Sequence, residues 1–509
     1  MTTQPVSGFS RHQAAFAGGI HPEDHKALTS EQPIRTLALP ELLLLPLAQR
    51  FGAPLETLVS VDQEVAMGQL LATSSDLRSV PVHAPASGRI VAIDGKPGSQ
   101  QISLKAEDNR RWGESPLTGN PFTLESDTII QRIRSAGIVG LGGAAFPTAL
   151  KVASARSKHC DLLLLNGGEC EPYLTCDDRL MREYAAEIVA GARLLARAAA
   201  INQVVIAVED NKAEALSALR EAASAAAEVR VAMVPSLYPM GSERHLIHTV
   251  SGRLVPPGGL SLDVGVLVQN VATARAVYHA VRFGRPLIDR VITISGGAIS
   301  QPANLRVPLG VRISELISAC GGLRADAARL VNGGPMMGQV ISNPHQPISK
   351  STSGILALTQ AEVQSGDSAA CIRCGRCVAA CPMSLLPLTM HATARAGDLD
   401  GARAAGLDHC LMCGACAYVC PSHLPLTGVF RAARATHTAN QQELKRQERA
   451  RLQAQMKKER LLREALAREA AKAAAAAAKP ARSSRRGAVA AVADTAETVS
   501  PASASEGES

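Results

Sequence analysis

The sequence predicts a multidomain α/β and α+β protein: a small β barrel or sandwich, a parallel-sheet α/β domain, a small α+β module, a compact cysteine-built domain and a helical tail. Three observations predict it. The chain has 509 residues, enough for about three domains at roughly 150 residues each. Short apolar runs alternate with helical patterns between residues 126 and 285, the signature of a largely parallel sheet. Eight of the twelve cysteines fall into two tight groups, which in a reducing compartment calls for something other than disulfides. Apolar residues make up 46% of the chain, which excludes wholesale disorder. Aromatics are only 3%, so the cores must rest on Leu, Val, Ile and Ala.

Residues 1–34 are polar and poor in pattern, and read as a flexible N-terminal arm. From 35 to 105 the runs Leu58-Val59, Val80–Val82 and Ile90–Ile93 are separated by turn signals such as Ala86-Ser87-Gly88 and Asp94-Gly95. Strands that short suit a small barrel or sandwich. Between 126 and 285 the runs Leu162–Leu165, Val204–Val208, Val231–Val234 and Val266–Val268 read as buried parallel strands. Helical patterns at Lys212–Ala226 and Ala272–Val281 accompany them. Residues 286–360 return to short β segments with one helix near Ile313–Ala319, a small α+β module. Residues 361–430 carry the cysteines and are too few for anything but a compact helical domain built on metal. In 431–509 a charged, Ala-rich stretch from Gln441 to Lys472 reads as a solvated helix, with Glu459–Arg463 and Glu464–Arg468 at i,i+4. Beyond Pro480 the low-complexity sequence predicts disorder.

The formal net charge is +8. From Arg431 onward there are 16 basic and 9 acidic residues, a surplus of seven, against 37 and 36 in the remainder. A near-neutral body with a basic tail argues against a nucleic-acid-binding core. No run reaches the roughly 18 apolar residues of a spanning helix. The best candidate, Leu37–Leu47, is interrupted by Pro40, Glu41 and Pro46. The N-terminus also lacks an export signal. The expectation is a cytosolic body that reaches any membrane through partners.

The cysteine groups are Cys371-x2-Cys374-x2-Cys377-x3-Cys381-Pro382 and Cys410-x2-Cys413-x2-Cys416-x3-Cys420-Pro421. This is the spacing of bacterial two-cluster 4Fe–4S ferredoxins, in which the fourth cysteine of each run serves the other cluster. Three thiolates on one tight loop face the same cube, and Gly375 and Gly414 keep the backbone close to the inorganic sulfides. Cys371, Cys374, Cys377 and Cys420 are thus expected on one cube, and Cys410, Cys413, Cys416 and Cys381 on the other. Structural zinc is the alternative, but zinc ligands come in pairs rather than fours followed by proline. Cys160, Cys170, Cys176 and Cys320 have no ligand spacing and read as buried thiols.

A second set lies in the α/β region. The glycine-rich segment Gly137–Thr148 precedes Lys151. Its simplest reading is a turn into a helix, but glycines also let backbone amides approach a phosphate, and a lysine adds charge. Asn166-Gly-Gly-Glu169-Cys-Glu171-Pro172 follows an apolar strand, where α/β sheets place ligands. Its carboxylates could hold ribose hydroxyls, or simply charge a helix N-terminus. Tyr238-Pro-Met-Gly241-Ser-Glu243 and Asn270-Val-Ala-Thr273 also follow strand runs.

In that order, Gly-Gly-x-x-Phe-Pro-Thr-x-x-Lys, Asn-x-x-Glu-x-Glu-Pro, Tyr-x-x-Gly-x-Glu and Asn-Val-x-Thr resemble the FMN- and NADH-binding subunit of respiratory complex I. With the ferredoxin pair added, residues 8 to 430 resemble the RnfC (RsxC) family, a component of the Rnf electron-transport complex. Gly252-Arg253, Gly258-Gly259 and Gly333–Gly338 are typical of it. The resemblance implies a barrel-sandwich similar to biotinyl and lipoyl carriers, a flavin-subunit-like α/β domain, a soluble-ligand-binding β-grasp (SLBB) module and a two-cluster ferredoxin domain. The carrier-type turn Val82–Gly88 has no modifiable lysine, so covalent biotin or lipoate is not expected.

The resemblance further implies that Gly140, Gly142, Gly143 and Lys151 wrap the FMN phosphate. Asn166, Asn270 and Thr273 would contact the flavin or its ribityl chain. Glu171 and Glu243 match carboxylates near NADH, and Glu169 belongs to the same loop. Ala145 and Ala149 stand where complex I has glycines, Val152 for its Trp, Gly168 for an Asp and Ser242 for a Glu.

The function implied is a peripheral subunit on the cytoplasmic side of the cell inner membrane, within an ion-translocating oxidoreductase. It would pass electrons between NAD(H), FMN and two 4Fe–4S clusters, to or from the other Rnf/Rsx subunits or a ferredoxin-type carrier. A basic tail could aid attachment. Rival readings are a soluble NADH diaphorase-type subunit, which would carry a single such cluster motif, and an electron-relay adaptor without its own nucleotide turnover.

Overall fold

The computed structural model describes residues 16–96, 98–107, 119–363 and 366–478. It divides into two units, 1–436 and 437–509. In the first unit, strands β1 (Arg35–Thr36), β2 (Leu42–Pro46), β3 (Glu56–Thr57), β4 (Glu64–Val65), β5 (Leu70–Thr73), β6 (Val82–His83), β7 (Gly88–Asp94) and β8 (Gln101–Ala106) come first. They form antiparallel sheets β2-β8-β7-β4 and β3-β5-β6. Alternate residues such as Leu43, Leu45, Ile102 and Leu104 point inward, the period-2 pattern of half-buried strands. The run Leu58-Val59 lies just beyond β3, and Leu58 is exposed.

The α/β domain runs α1 (Ser126–Ser135), α2 (Thr148–Ser157), β9 (Leu162–Gly167), α3 (Cys176–Glu183), α4 (Ala185–Ala199), β10 (Gln203–Glu209), α5 (Ala213–Ala223), β11 (Val229–Val234), α6 (Glu243–Ser251), β12 (Val266–Asn270) and α7 (Val271–Phe283). All sheet pairings are parallel, in the order β11-β10-β9-β12. The chain passes from β11 at one edge to β12 at the other, so the β9–β12 seam is the topological switch point. Leu163 and Leu165 of β9 enter the core under α4 and α7, while Leu162 and Leu164 enter the core under α6. Burial on both faces is why these strands read as unbroken apolar runs.

Next come β13 (Asp289–Ser295), β14 (Ala303–Pro308), α8 (Ile313–Ala319), β15 (Ala327–Asn332), β16 (Gln339–Val340) and β17 (Gly354–Thr359), in a sheet ordered β1-β14-β13-β17-β15-β16. Strand β1 completes this sheet from the N-terminal region. The two modules share one core, in which Leu43 and Ile90 join Ile292 and Ile355. Lys350 fastens three regions together, donating to the carbonyls of Pro81 at 3.2 Å and Gly137 at 2.8 Å. Burial lowers its pKa from 10.5 to about 7. The unfolded chain therefore binds the extra proton between those values, and Lys350's contribution to stability rises with pH across that window. The unfolding free energy of wild type relative to Lys350→Met should rise from about pH 7 to 10.5, by at most roughly 1.4 kcal/mol per pH unit. Urea titrations at several pH values measure this; a constant gap would mean the ammonium keeps an ordinary pKa.

The cysteine domain contains α9 (Arg376–Ala379), α10 (Pro387–Arg395), α11 (Leu399–Ala404), α12 (Ala415–Tyr418) and the start of α13 (Leu426–Ala477). Leu426, Phe430 and Ala433 bury the first turns of α13. In the second unit the helix continues with every described residue from 438 onward exposed. It is longer at both ends than the sequence predicts, and its Leu444, Leu452 and Met456 are solvated. The segment beyond Pro480 lies outside the described residues.

The reading of residues 1–34 as a flexible arm is corrected from Phe16 onward. Phe16 and Ile20 are buried, and Phe16 packs 4.2 Å from the His245 ring. Ile20 and Tyr238 exchange backbone hydrogen bonds of 3.0 and 2.9 Å. Lys26 Nζ donates to the carbonyls of Glu169, Glu171 and Leu174. Few apolar anchors among polar residues leave no periodicity to read, yet each fills a specific socket.

Candidate functional site

The glycine loop sits at the switch point. Leu141 N donates to the buried Thr273 Oγ1 at 2.9 Å, which ties the loop to the first turn of α7. Gly140 N reaches Phe146 O at 2.9 Å and Ala145 N returns to Gly140 O at 3.1 Å. Gly143 has φ +100°, and a Cβ there would meet no atom within 4 Å. The amides of Gly142, Gly143 and Ala144 have no acceptor among the described residues. Consecutive free amides beside an open glycine face form an anion-binding concavity. Lys151, in the first turn of α2, supplies a cation. These residues fit a flavin phosphate.

Asn166 and Asn270 are register partners at the C-terminal ends of β9 and β12. Both side chains also organise loops. Asn166 Nδ2 donates to Gly241 O and its Oδ1 accepts from Gly168 N, each at 2.9 Å. Asn270 Oδ1 caps α7 at Ala272 N, and its Nδ2 donates to Asp177 at 2.7 Å. Thr273 is fully buried, so its hydroxyl serves the loop.

The carboxylates divide. Glu169 is buried and accepts from the amides of Asp177 at 2.9 Å and Asp178 at 3.2 Å, at the start of α3. Burial pushes its carboxyl upward, against the pull of Lys26. Glu171 accepts from the amides of Met336 and Met337, both at 3.0 Å, fastening β9's loop to the turn after β15. Burial raises its pKa to about 7 while those amides pull it down. Glu243 is partly exposed, and its carboxylate lies 3.2 Å from Lys151 Nζ. The resemblance assigns those two residues to different ligands, but here they form an ion pair.

The cysteine runs repeat at 39 residues in backbone as well as sequence. Gly375 and Gly414 have φ of +76° and +84°, and Arg373 and Met412 are at +55° and +58°. Left-handed residues at these positions turn each loop tightly enough for three thiols to share one cube. Cys381 lies close enough to Cys410, Cys413 and Cys416 to raise all three thiol pKa values, though burial raises them most. Cys377 is raised by burial and then by Cys420 and Cys371. Iron reverses this, because a coordinating thiol is deprotonated outright. The two sets differ in setting. Cys371 and Cys374 are exposed, whereas Cys413 and Cys416 are buried.

A chain of contacts joins the Asn166 loop at the end of β9 to the buried set. Asn166 holds Gly241 O, and Gly241 N donates to Cys170 Sγ at 3.3 Å. Cys170 packs in a small core with Ile20, Tyr238, Ala415 and Cys413. Tyr238 Oη donates to Cys413 O at 2.5 Å. Reading the sequence alone leaves Cys170 an ordinary buried thiol, since nothing in its spacing marks a position between two sites.

Comparison with known proteins agrees with this layout. Residues 14–106 match the RnfC barrel sandwich hybrid domain, 133–279 the Nuo51 FMN-binding domain, 291–340 the SLBB domain and 365–421 the 4Fe-4S dicluster domain. The component designated C of the ion-translocating oxidoreductase complex of Rhodobacter capsulatus is 46% identical over 439 residues, covering 84% of this chain and 83% of that one. The corresponding component of the proton-translocating ferredoxin:NAD(+) oxidoreductase complex of Clostridium ljungdahlii is 42% identical over 379 residues, covering 73% and 83%. A solved NAD+-reducing NiFe-hydrogenase in the H2-reduced state aligns at 20% identity over 58% of this chain and 60% of that one, with a TM-score of 0.44. The chain carries an FMN-binding domain and a 4Fe–4S dicluster domain, and no helix among its described residues is long and apolar enough to cross a membrane. It belongs to the RnfC family, the C components of ion-translocating oxidoreductase complexes.

Proposed function

We propose that this chain is the peripheral electron-entry subunit of an ion-translocating oxidoreductase complex at the cytoplasmic face of the inner membrane, exchanging electrons between NAD(H) and partner subunits or a ferredoxin-type carrier. The observation that carries it is the packed path from Asn166 through Gly241, Cys170 and Tyr238 to the buried thiol set. Bound FMN supplies the conversion between two-electron and one-electron chemistry, and the cubes supply single-electron steps. The chain's own residues bind and orient. The amides of Gly142–Ala144 and the Lys151 ammonium hold the phosphate end, and Asn166 and Asn270 flank the seam. Tyr238 and Cys170 pack between the sites. The exposed loop with Cys371, Ile372 and Cys374 is where a partner would dock. Adding NADH anaerobically to flavin-loaded protein tests the reading through bleaching of the flavin band.

A specific observation favours the adaptor reading as the second choice. Glu171 is engaged by two backbone amides and Glu243 by Lys151, so both nucleotide-facing carboxylates have partners inside the chain. The same experiment separates the two, because an adaptor would show no bleaching. Glu243→Gln sharpens it. A hydrogen bond to a charged acceptor contributes roughly 1.5–3 kcal/mol, so NADH affinity should fall by about tenfold or more while FMN retention stays near wild type. Titrating both ligands checks this; equal loss of FMN would place Glu243 with Lys151 in the flavin site.

The tail beyond 440 is proposed to add salt-sensitive attachment to anionic lipid, at roughly 1 kcal/mol per basic residue near the surface. Truncation there should leave iron content and flavin spectrum unchanged and lower the fraction pelleting with membranes at low salt when partner subunits are absent. Identical partitioning of the two proteins would place attachment wholly in the body.

A further inference from the structure

The repeat of 39 residues, from Cys371 to Cys410, gives every position in one cysteine loop a counterpart in the other. The backbones match: Arg373 N donates to Cys371 Sγ and Met412 N to Cys410 Sγ, each at 3.4 Å. The side chains do not match. Arg373 corresponds to Met412, and Arg376 to Ala415. Both arginines are exposed, and neither side chain has an ion-pair or hydrogen-bond partner among the described residues. From 368 to 397 the chain holds no acidic residue to neutralise them locally. Met412 is half-buried and Ala415 fully buried. The ligands differ in the same sense, with Cys371 and Cys374 exposed and Cys413 and Cys416 buried.

Adding one electron to a cube held by four thiolates adds one negative charge and neither makes nor breaks a bond. The potential therefore follows the surrounding charge, the hydrogen bonds to sulfur and the exposure to solvent. Burial disfavours the more highly charged state, and a neighbouring cation favours it. Arg373 directly precedes Cys374, and Arg376 directly precedes Cys377. Tethered one residue from a ligand, neither charge can move far beyond the roughly 8 Å over which salt screens it. The buried set has two opposing features. Arg434 Nη2 donates to Cys410 O at 2.8 Å, and Cys381 Sγ accepts from Leu385 N at 3.4 Å. One cation and one further amide stand against two cations and water.

We propose that Arg373 and Arg376 tune the exposed cube, the one implied for Cys371, Cys374, Cys377 and Cys420, to a higher reduction potential than the buried one, so that a single electron in the chain rests at the exposed end. This rests on the cluster part of the proposed function and is independent of NADH, which takes no part in the test. Full-length, cluster-loaded protein is titrated anaerobically with dithionite and mediator dyes and followed by spin resonance. Wild type should show two midpoints, and Cys374→Ser should lose the upper one. The double variant Arg373→Gln/Arg376→Gln should lower the upper midpoint by about tenfold in the one-electron equilibrium, which is about 59 mV, and leave the lower in place. Either single Gln variant should move it part of the way. Gln is as suited as Arg to the left-handed backbone at position 373, so the change removes charge without adding strain. The double Lys variant keeps both charges and should titrate as wild type. Three outcomes overturn the proposal: one shared midpoint in wild type, loss of the lower midpoint in Cys374→Ser, or Gln variants that titrate as wild type. A chain without NADH turnover would still show the expected midpoints, whereas zinc in place of iron would overturn the tuning and the cluster assignment together.

Discussion

Cys413→Ser and Cys374→Ser should each remove about half of the roughly eight irons that two cubes hold, but only the first should also cut the body's stability and the route between the sites. Neutral serine is a poor iron ligand beside thiolate. Cys374 sits on an exposed loop, so its cube can go while the surroundings keep their packing. Cys413 is 8% exposed, its carbonyl receives Tyr238 Oη, and its loop closes a core with Ile20 and Ala415. Without the cube, the left-handed turn at Gly414 loses what holds it, and that core opens. The Cys413 variant should melt several degrees lower, and its remaining cube should no longer be reduced by NADH. The Cys374 variant should melt near wild type with its remaining cube still reducible. Iron and sulfide analysis, thermal melts and anaerobic reduction followed by spin resonance measure all three. Bound zinc without sulfide would sink the cluster assignment, and identical behaviour of the variants would sink the order of the two sites.

Gly191→Ala should be among the most damaging single-methyl changes in the α/β domain. Gly191 lies mid-helix in α4, where alanine is ordinarily the better residue. Here its Cβ would stand 1.8 Å from Ala274 O and 2.4 Å from Ala274 C on α7. The obstacle is backbone and cannot rotate aside, so the helices must separate. Overpacking of this kind costs about 1–3 kcal/mol and occasionally more, and the upper end is expected. α7 is capped by Asn270 and carries Thr273, so its displacement should loosen the glycine loop and release FMN. Gly428→Ala is the control with the opposite sign. It lies in α13 with its nearest neighbour 4.0 Å away, and should stabilise by about 0.5–1 kcal/mol. Denaturant unfolding and flavin fluorescence report both effects. A Gly191→Ala protein as stable as wild type, with its flavin retained, would mean that the two helices tolerate a wider separation.

What the amino-acid sequence determined by itself was whatever depends on neighbours along the chain. Strand and helix periods were legible because both faces of β9, β10 and β12 are buried, which leaves unbroken apolar runs. The cysteine spacing was legible because three ligands to one cube must come from one tight loop. The helix of the tail was legible because opposite charges recur at i,i+4 along it, although Glu464 pairs with Arg460 and not with the expected Arg468, and its start was hidden where Leu426 and Phe430 turn inward. Tertiary structure decided everything that depends on what a side chain meets across the fold. It paired Lys151 with Glu243, engaged Glu169 and Glu171 with backbone amides, and turned Thr273 to the glycine loop. It also seated Phe16 and Ile20, placed Cys170 between two sites, and left one cysteine set exposed and the other buried. The physical reason is that a carboxylate, a thiol or a guanidinium has no intrinsic preference for ligand over protein. Its partner is set by the donors and acceptors that distant segments bring within about 3 Å, and one strand of residues read in order carries no record of those distances.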